Sequence, residues 1–139
     1  MTGTPLVFNF VTTAGGQARA TVISTAIIAG WTGRDRAAME KHIVELEALG
    51  VKRPASTPIF YRVAAARLTT APEIQVSGND SSGEVEFFLA TIDGRLWLGV
   101  GSDHTDRKVE TYRVTVSKQM CPKPIAPELW RFAELEEHW

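Results

Sequence analysis

The chain has 139 residues, enough for one domain with a hydrophobic core, and its hydrophobic fraction of 44% is ordinary for a globular protein. A near balance of 15 Lys and Arg against 16 Asp and Glu argues against nucleic acid or an anionic membrane as a partner. No apolar run reaches the roughly 18–20 residues that span a bilayer, and no signal-peptide pattern opens the chain. The single cysteine, Cys121, cannot form an internal disulfide, which fits a cytoplasmic protein.

The N-terminal half predicts short strands around one helix. We expect strands, from their β-branched and aromatic content, over residues 6–12, 18–29, 59–63 and 74–76. The helix is expected over residues 35–49, where Thr32 or Asp35 can cap its start and Gly50 can end it. Its apolar stripe at helical spacing consists of Met39, Ile43, Leu46 and Leu49.

The C-terminal half contains the clearest turn signal. Asp93-Gly94 lies between two apolar runs, which is typical of a two-residue β-hairpin. Residues 84–92 then form the outgoing strand and residues 95–101 the returning one, and paired residues have numbers that sum to 187. In this register Glu84 pairs with Asp103.

This register predicts that three carboxylates converge. Glu84 and Glu86 share one side of their strand, and Asp103 joins them, so the three groups would lie within roughly 5–7 Å of one another. Like charges at that distance repel unless a cation intervenes, and an all-oxygen site suits Mg²⁺ or Mn²⁺, with Ca²⁺ as a third option. Two other interpretations stay open: a solvated acidic face, or a bulge at Gly99 or Gly101 that shifts the register.

After the hairpin, residues 108–118 alternate in part and predict a strand with some helical character. Residues 127–139 have the pattern of an amphipathic helix that ends on Trp139. A large aromatic residue at a terminus favours burial against a surface, so we expect either a partner chain, in a homodimer, or a continuation of the chain.

Three groups of residues resemble the fumarylacetoacetate hydrolase superfamily, and the whole chain is similar to a bacterial branch of unknown function that we associate with it. The first, similar to an H-x-x-E helix before a proline-rich turn, is His42-Ile43-Val44-Glu45 followed by Pro54 and Pro58-Ile59-Phe60. The second, similar to an E-x-E pair, is Glu84-Val85-Glu86. The third is Gly101-Ser102-Asp103-His104-Thr105-Asp106-Arg107, with Lys118 and Pro124-Ile125-Ala126-Pro127 after it.

The resemblance implies an α+β, mainly β fold: a mixed β-sheet roll or barrel, or an incomplete form of it, with one helix in the N-terminal half. Residues 1–139 would form a single domain, with N-terminal strands in 1–30, the helix in 35–49 and part of the catalytic roll in 59–131. The resemblance assigns metal binding to Glu84, Glu86 and Asp103, and places Lys118 near the oxygen atoms of the substrate. It assigns the activation of water or a proton transfer to His42 and Glu45.

The function implied is a divalent-metal-dependent hydrolase or lyase that acts on a small oxo-acid or diketo-acid through an enolate. Hydrolysis, decarboxylation and tautomerisation remain open, since all three share that intermediate. One alternative is a non-catalytic dimerising remnant. Another is a ligand-binding module that holds an anion through basic residues: Arg62, Arg67, Arg95, Arg107 and Lys108.

Overall fold

The computed structural model describes residues 2–139, over which the chain is α+β and mainly β, as predicted. The α-helices are α1 (Arg36–Ala48), α2 (Arg107–Tyr112) and α3 (Val114–Met120). The long strands are β1 (Thr4–Thr12), β2 (Gly15–Ile23), β3 (Ala26–Gly30), β4 (Ile59–Val63), β7 (Val85–Ile92), β8 (Arg95–Ser102) and β11 (Glu128–Arg131). The two-residue strands are β5 (Leu68–Thr69), β6 (Ser81–Ser82), β9 (Thr105–Asp106) and β10 (Lys123–Pro124).

One five-stranded sheet dominates the fold, in the order β2-β1-β11-β8-β7. Its β1–β11 pair is parallel and its other pairs are antiparallel, so the sheet is mixed. The smaller two-stranded sheets are β3–β4, β5–β10 and β6–β9. Arg19 of β2 reaches Asp93, in the turn after β7, at 2.6 Å, so the two edge strands approach each other and the sheet curls.

The hydrophobic core lies on the inner face of this sheet. β1 alternates as its period of two requires, with Leu6, Phe8 and Phe10 buried. The Phe10 ring meets the Trp97 ring edge-on with centroids 4.6 Å apart, and Leu129 has no exposed surface. Each large side chain buried in this way stabilises the fold by about 1.5–3 kcal/mol.

Helix α1 begins at the predicted place because Asp35 caps it. Its Oδ1 accepts hydrogen bonds from the backbone N–H groups of Ala37 at 2.9 Å and Ala38 at 3.0 Å. The apolar stripe is only partly buried, since Ile43 is buried whereas Leu49 is 71% exposed. Most of this helix therefore lies on the surface.

The β7–β8 hairpin confirms the predicted register, with Phe88 opposite Gly99 and Ile92 opposite Arg95. Its turn places Asp93 at φ 51° and Gly94 at φ 71°, the left-handed values that a type I′ turn needs. No bulge shifts the pairs from Val85 to Ile92.

Several element predictions are wrong. Residues 74–76 are not a strand, the run 18–29 is divided between β2 and β3, and residues 108–118 lie in α2 and α3. The expected helix over 127–139 is instead β11 followed by 3-10 turns. β11 fills the gap between β1 and β8, and these sheet contacts outweigh the local helical pattern.

Trp139 packs within its own chain. Its ring lies 4.9 Å from that of Phe87 and 5.2 Å from that of Phe132, measured between centroids, and the residue is 54% exposed.

We predict that Gly94→Ala lowers the free energy of unfolding by about 1–2 kcal/mol, because a Cβ disfavours the left-handed backbone. Gly16→Ala is the matched control: Gly16 lies in β2 without a positive φ, and an added Cβ meets only Phe10 O at 3.9 Å. Urea unfolding measures both changes. Equal losses in the two variants would show that the turn conformation does not decide stability.

Candidate active site

The open end of the β7–β8 hairpin brings together the carboxylates singled out in the sequence. Val85 pairs with Ser102, and the Asp103 N–H donates to the Glu84 carbonyl at 2.9 Å, which continues the register beyond the strands. Glu86 lies close enough to Asp103 and Glu84 for their charges to act on it. The register therefore places Glu84, Glu86 and Asp103 at one end of the hairpin.

Asp103 is buried between two lysines. The Lys118 ammonium, from α3, hydrogen-bonds Oδ2, and the Lys123 ammonium, from β10, lies 2.9 Å from Oδ1. The Lys123 contact with Oδ1 is an ion pair without hydrogen-bond geometry, since Oδ1 has no hydrogen-bond partner. Lys123 also donates to the backbone carbonyl of His104. All three charged residues are at most 7% exposed.

Glu84 is held by an arginine instead. Arg107 donates to Glu84 Oε1 at 2.5 Å and to Glu110 Oε2 at 3.1 Å. Burial would lower the pKa of Arg107, but the hydrogen bonds to the two glutamates outweigh it, so the pKa lies above its ordinary value. Arg107 therefore joins the hairpin end to helix α2 as a charged clamp.

These ion pairs involve the residues that were predicted to bind a metal ion. Glu84 and both oxygens of Asp103 already have cationic partners, and Glu86 is the remaining acid of the trio. Within residues 2–139 no group of three or more His, Cys, Asp or Glu side chains is arranged to hold a metal ion. The trio as arranged does not fit a divalent cation, which would have to displace Lys118, Lys123 and Arg107. Binding of Mg²⁺, Mn²⁺ or Ca²⁺ stays a prediction.

The His42–Glu45 pair lies apart from the acids. Nδ1 of His42 is 3.6 Å from Glu45 Oε2, beyond hydrogen-bonding distance, and both side chains are more than half exposed. The His42 ring contacts Trp31, with centroids 5.7 Å apart, and neither His42 nor Glu45 lines the cavity described below. Their predicted part in catalysis stays a prediction.

Lys118 lies behind Asp103, against an aromatic ring. Its Nζ is 5.6 Å from the centroid of the Tyr61 ring. Burial raises the pKa of the Tyr61 phenol, while Lys118 and a hydrogen bond with Trp31 act in the opposite direction. Lys118 thus lies in a layer behind Asp103. Its ammonium interacts both with the Asp103 carboxylate and with the Tyr61 ring.

A cavity of about 640 Å³ opens beside these charges, on the inner face of the curled sheet. At one end, which we call the charged end, it is lined by Glu86, Ser102, Asp103 and Lys123. Its walls are mostly apolar and come from β2, β3, β7 and the segment around Ile125. A concave apolar site with a few convergent polar groups is the usual form of a small-molecule site. The basic residues proposed for an anion site, Arg62, Arg67, Arg95, Arg107 and Lys108, lie outside its lining.

Two groups at the charged end have shifted pKa values. Partial burial, followed by the charges of Asp103 and Glu84, raises the pKa of the Glu86 carboxyl above its ordinary value. Burial lowers the pKa of the Lys123 ammonium, although Asp103 acts to raise it and Lys118 to lower it further. Such groups in a cleft are typical of catalytic sites, although structural ion pairs shift pKa values as well.

Lys123 and Ser102 were not predicted from the sequence as site residues. Lys123 stands between two prolines in an otherwise uncharged segment, Cys121 to Pro127, which was the available signal. Its burial depends on the pairing of β10 with β5, a contact over more than fifty residues of chain that no local pattern predicts.

Comparison with known proteins assigns the chain to a family. Residues 29–139 match the family model described as "Protein of unknown function (DUF2848)". The chain belongs to that family. No curated protein and no solved structure matches it. Across residues 2–139, no helix has both the length and the apolar character needed to cross a membrane.

The predicted membership of the fumarylacetoacetate hydrolase superfamily is therefore wrong, since the matching model is of a different family. The motifs that suggested it each specify only a few positions. Glu84-Val85-Glu86 and the segment after Gly101 mark the hairpin end correctly, but their side chains meet lysines and an arginine here.

We predict that Lys123→Met lowers the free energy of unfolding by about 3–5 kcal/mol, because it leaves a buried carboxylate with one partner. The double variant Asp103→Asn, Lys123→Met also leaves the buried Lys118 ammonium without its carboxylate, so it should lose more than the single variant. Lys52→Met, at an exposed lysine, should change stability by no more than about 0.5 kcal/mol. Denaturant unfolding tests this, and a Lys123→Met loss no larger than that of Lys52→Met would contradict it.

Proposed function

We propose that this protein is a hydrolase or lyase that acts on a small oxo-acid or diketo-acid at the charged end of the cavity. The observation that carries the proposal is the buried Asp103–Lys123 ion pair beside Glu86 on the wall of a mostly apolar cavity, with Lys118 on the other oxygen of Asp103. The ligand class follows from two properties of this site, its positive charge and its apolar wall. An ammonium group suits an anionic oxygen, and the apolar wall suits the carbon skeleton.

Lys123 is the group placed to stabilise an enolate. An ammonium has three N–H donors, and Lys123, which lines the cavity, uses one on the His104 carbonyl while its charge pairs with Asp103. When a C–C bond next to a carbonyl breaks, negative charge develops on the carbonyl oxygen. A preorganised cation in a site shielded from water stabilises that charge strongly. Asp103 is a positioning residue here, since its ion pair holds the Lys123 ammonium in place, and Lys118 acts only through its hydrogen bond to Asp103.

Glu86 is the group placed to move a proton. Its raised pKa brings it closer to neutral pH, where a general acid or base works best. In hydrolysis Glu86 takes a proton from water as the oxygen attacks the carbonyl carbon, and the C–C bond breaks with its electron pair forming the enolate. Glu86 then returns the proton to the enolate carbon. In decarboxylation the carboxylate leaves as CO₂ and only the second proton transfer is needed.

The positive charge at this site comes from the chain itself. Lys118, Lys123 and Arg107 occupy the positions around the carboxylates that the sequence analysis assigned to a divalent cation. The proposed steps therefore use these side chains and no metal. A homodimer, predicted from the sequence, is a separate proposal and the steps do not depend on it.

The proposal is tested by the release of pyruvate from oxaloacetate and from acetylpyruvate, measured with and without EDTA. We expect turnover that EDTA leaves unchanged, and a fall in kcat of about 10²–10³ in Lys123→Met, the loss that follows removal of one stabilising donor. Lys52→Met is the matched control and should keep full activity. Circular dichroism establishes that each variant is folded.

Two results would contradict the proposed chemistry. Activity that EDTA abolishes and Mg²⁺ or Mn²⁺ restores would assign the electrophile to a metal ion. Binding of acetylpyruvate without turnover, seen by calorimetry, would favour the ligand-binding module.

Glu86→Gln tests the proton transfer through its pH dependence. If deprotonated Glu86 acts as the base, kcat/KM rises as pH rises through its pKa, and that acidic limb lies above the ordinary glutamate value of 4.5. Glu86→Gln should lose the limb together with most of the activity. A limb that persists in the variant would assign the proton transfer to another group.

Stability gives an independent check of the same pKa. A raised pKa in the folded state means that Glu86 contributes stability at acid pH and loses that contribution as pH rises through the folded pKa. Glu86→Gln should therefore have a higher Tm than the wild type at neutral pH, and the difference should shrink toward acid pH. A difference that does not depend on pH would show that the pKa is not raised.

A further inference from the structure

The cavity continues far beyond its charged end. On β7, residues Glu86, Phe88, Ala90 and Ile92 share the inner face, because side chains alternate along a strand. From the first to the last of these the strand advances about 20 Å at roughly 3.3 Å per residue. Beyond them Arg19 closes the far end, bound to Asp93 at 2.6 Å.

The walls between the two ends are mostly apolar. We call this part the apolar trough, lined by Ile23, Ala26, Leu68, Phe88, Ala90 and Ile125. Five of these, Ile23, Leu68, Phe88, Ala90 and Ile125, are partly buried and pack against the core. The trough is thus an extension of the core that remains accessible from outside.

Two glycines of β8 keep the trough open. A Cβ on Gly99 would overlap the far end of the Phe88 ring, so that ring lies flat against the β8 backbone. A Cβ on Gly101 would come within 2.8 Å of Ile125 Cγ2, so Ile125 also lies low on the sheet. With side chains at these two positions, Phe88 and Ile125 would stand higher and fill the space.

The volume exceeds what a short oxo-acid needs. At about 30 Å³ per water-sized group, 640 Å³ holds roughly twenty non-hydrogen atoms. A four-carbon oxo-acid has about nine and would leave most of the apolar wall in contact with water, which is unfavourable.

We infer that the substrate carries an elongated apolar tail, which lies in the apolar trough while its oxo-acid group meets the charged end. This inference rests on the proposed function and names the substrate class. Ala90 and Gly99 are then specificity-determining residues, since the small size of each leaves room for the tail.

Straight-chain acylpyruvates of increasing length test the inference on the unchanged protein. From acetylpyruvate through butanoylpyruvate and hexanoylpyruvate to octanoylpyruvate, kcat/KM should rise by up to about fourfold for each methylene group buried. A flat series, or one that falls with length, would overturn the inference while the proposed function stands.

Ala90→Phe tests the location of the tail. A phenyl ring at position 90 occupies the trough, so the fall in kcat/KM should be at least tenfold larger for octanoylpyruvate than for acetylpyruvate. Ala18→Phe is the matched control, because Ala18 lies on β2, is exposed and does not line the cavity. An equal fall for both substrates in Ala90→Phe, or the same fall in Ala18→Phe, would place the tail elsewhere.

Failure of the proposed function gives a different result. If no acylpyruvate is cleaved, the proposed function fails, and calorimetry with octanoylpyruvate still tests the tail. Binding that tightens from acetylpyruvate to octanoylpyruvate and weakens in Ala90→Phe would support the trough as a tail site. An equal affinity for all lengths, or binding of none, would overturn it.

Discussion

The ion pairs of Asp103 are the interaction on which the candidate site depends. A carboxylate that is only 5% exposed is strongly destabilising unless cations and hydrogen bonds compensate it. Lys118 comes from α3 and Lys123 from β10, so one acid joins the end of the hairpin to two later segments. The same contacts hold the Lys123 ammonium at the cavity wall. Stability and the proposed chemistry therefore use the same three side chains.

The curl of the five-stranded sheet provides the second half of the site. Its edge strands β2 and β7 approach each other. The space between them remains a cavity because some positions on the inner face are occupied by small residues. Gly99 and Gly101 let Phe88 and Ile125 lie flat, while Phe8, Phe10 and Trp97 form the packed core beneath them. The charged end and the apolar trough are thus two regions of one concave surface.

The resemblance to another family rested on short motifs, and a short motif specifies only a few positions of a chain. The hairpin register that places Glu84 opposite Asp103 is as the spacing predicts, yet the cations beside these acids come from Lys118, Lys123 and Arg107. Backbone geometry alone determines that two acids on one strand face the same way. The nature of the counter-charge depends on α2, α3 and β10, whose positions no motif contains. For this reason correct placement of the acids did not lead to the correct family.

What the sequence determined by itself was local. The Asp93-Gly94 turn set the hairpin register because only left-handed residues close a two-residue loop, and Asp35 set the start of α1 through its cap. Only the tertiary structure decided that residues 128–131 form a central strand, that residues 107–120 are helical, and that Lys123 is buried against Asp103. Those outcomes come from pairings between segments far apart in the chain, whose packing energy exceeds any local preference of their residues.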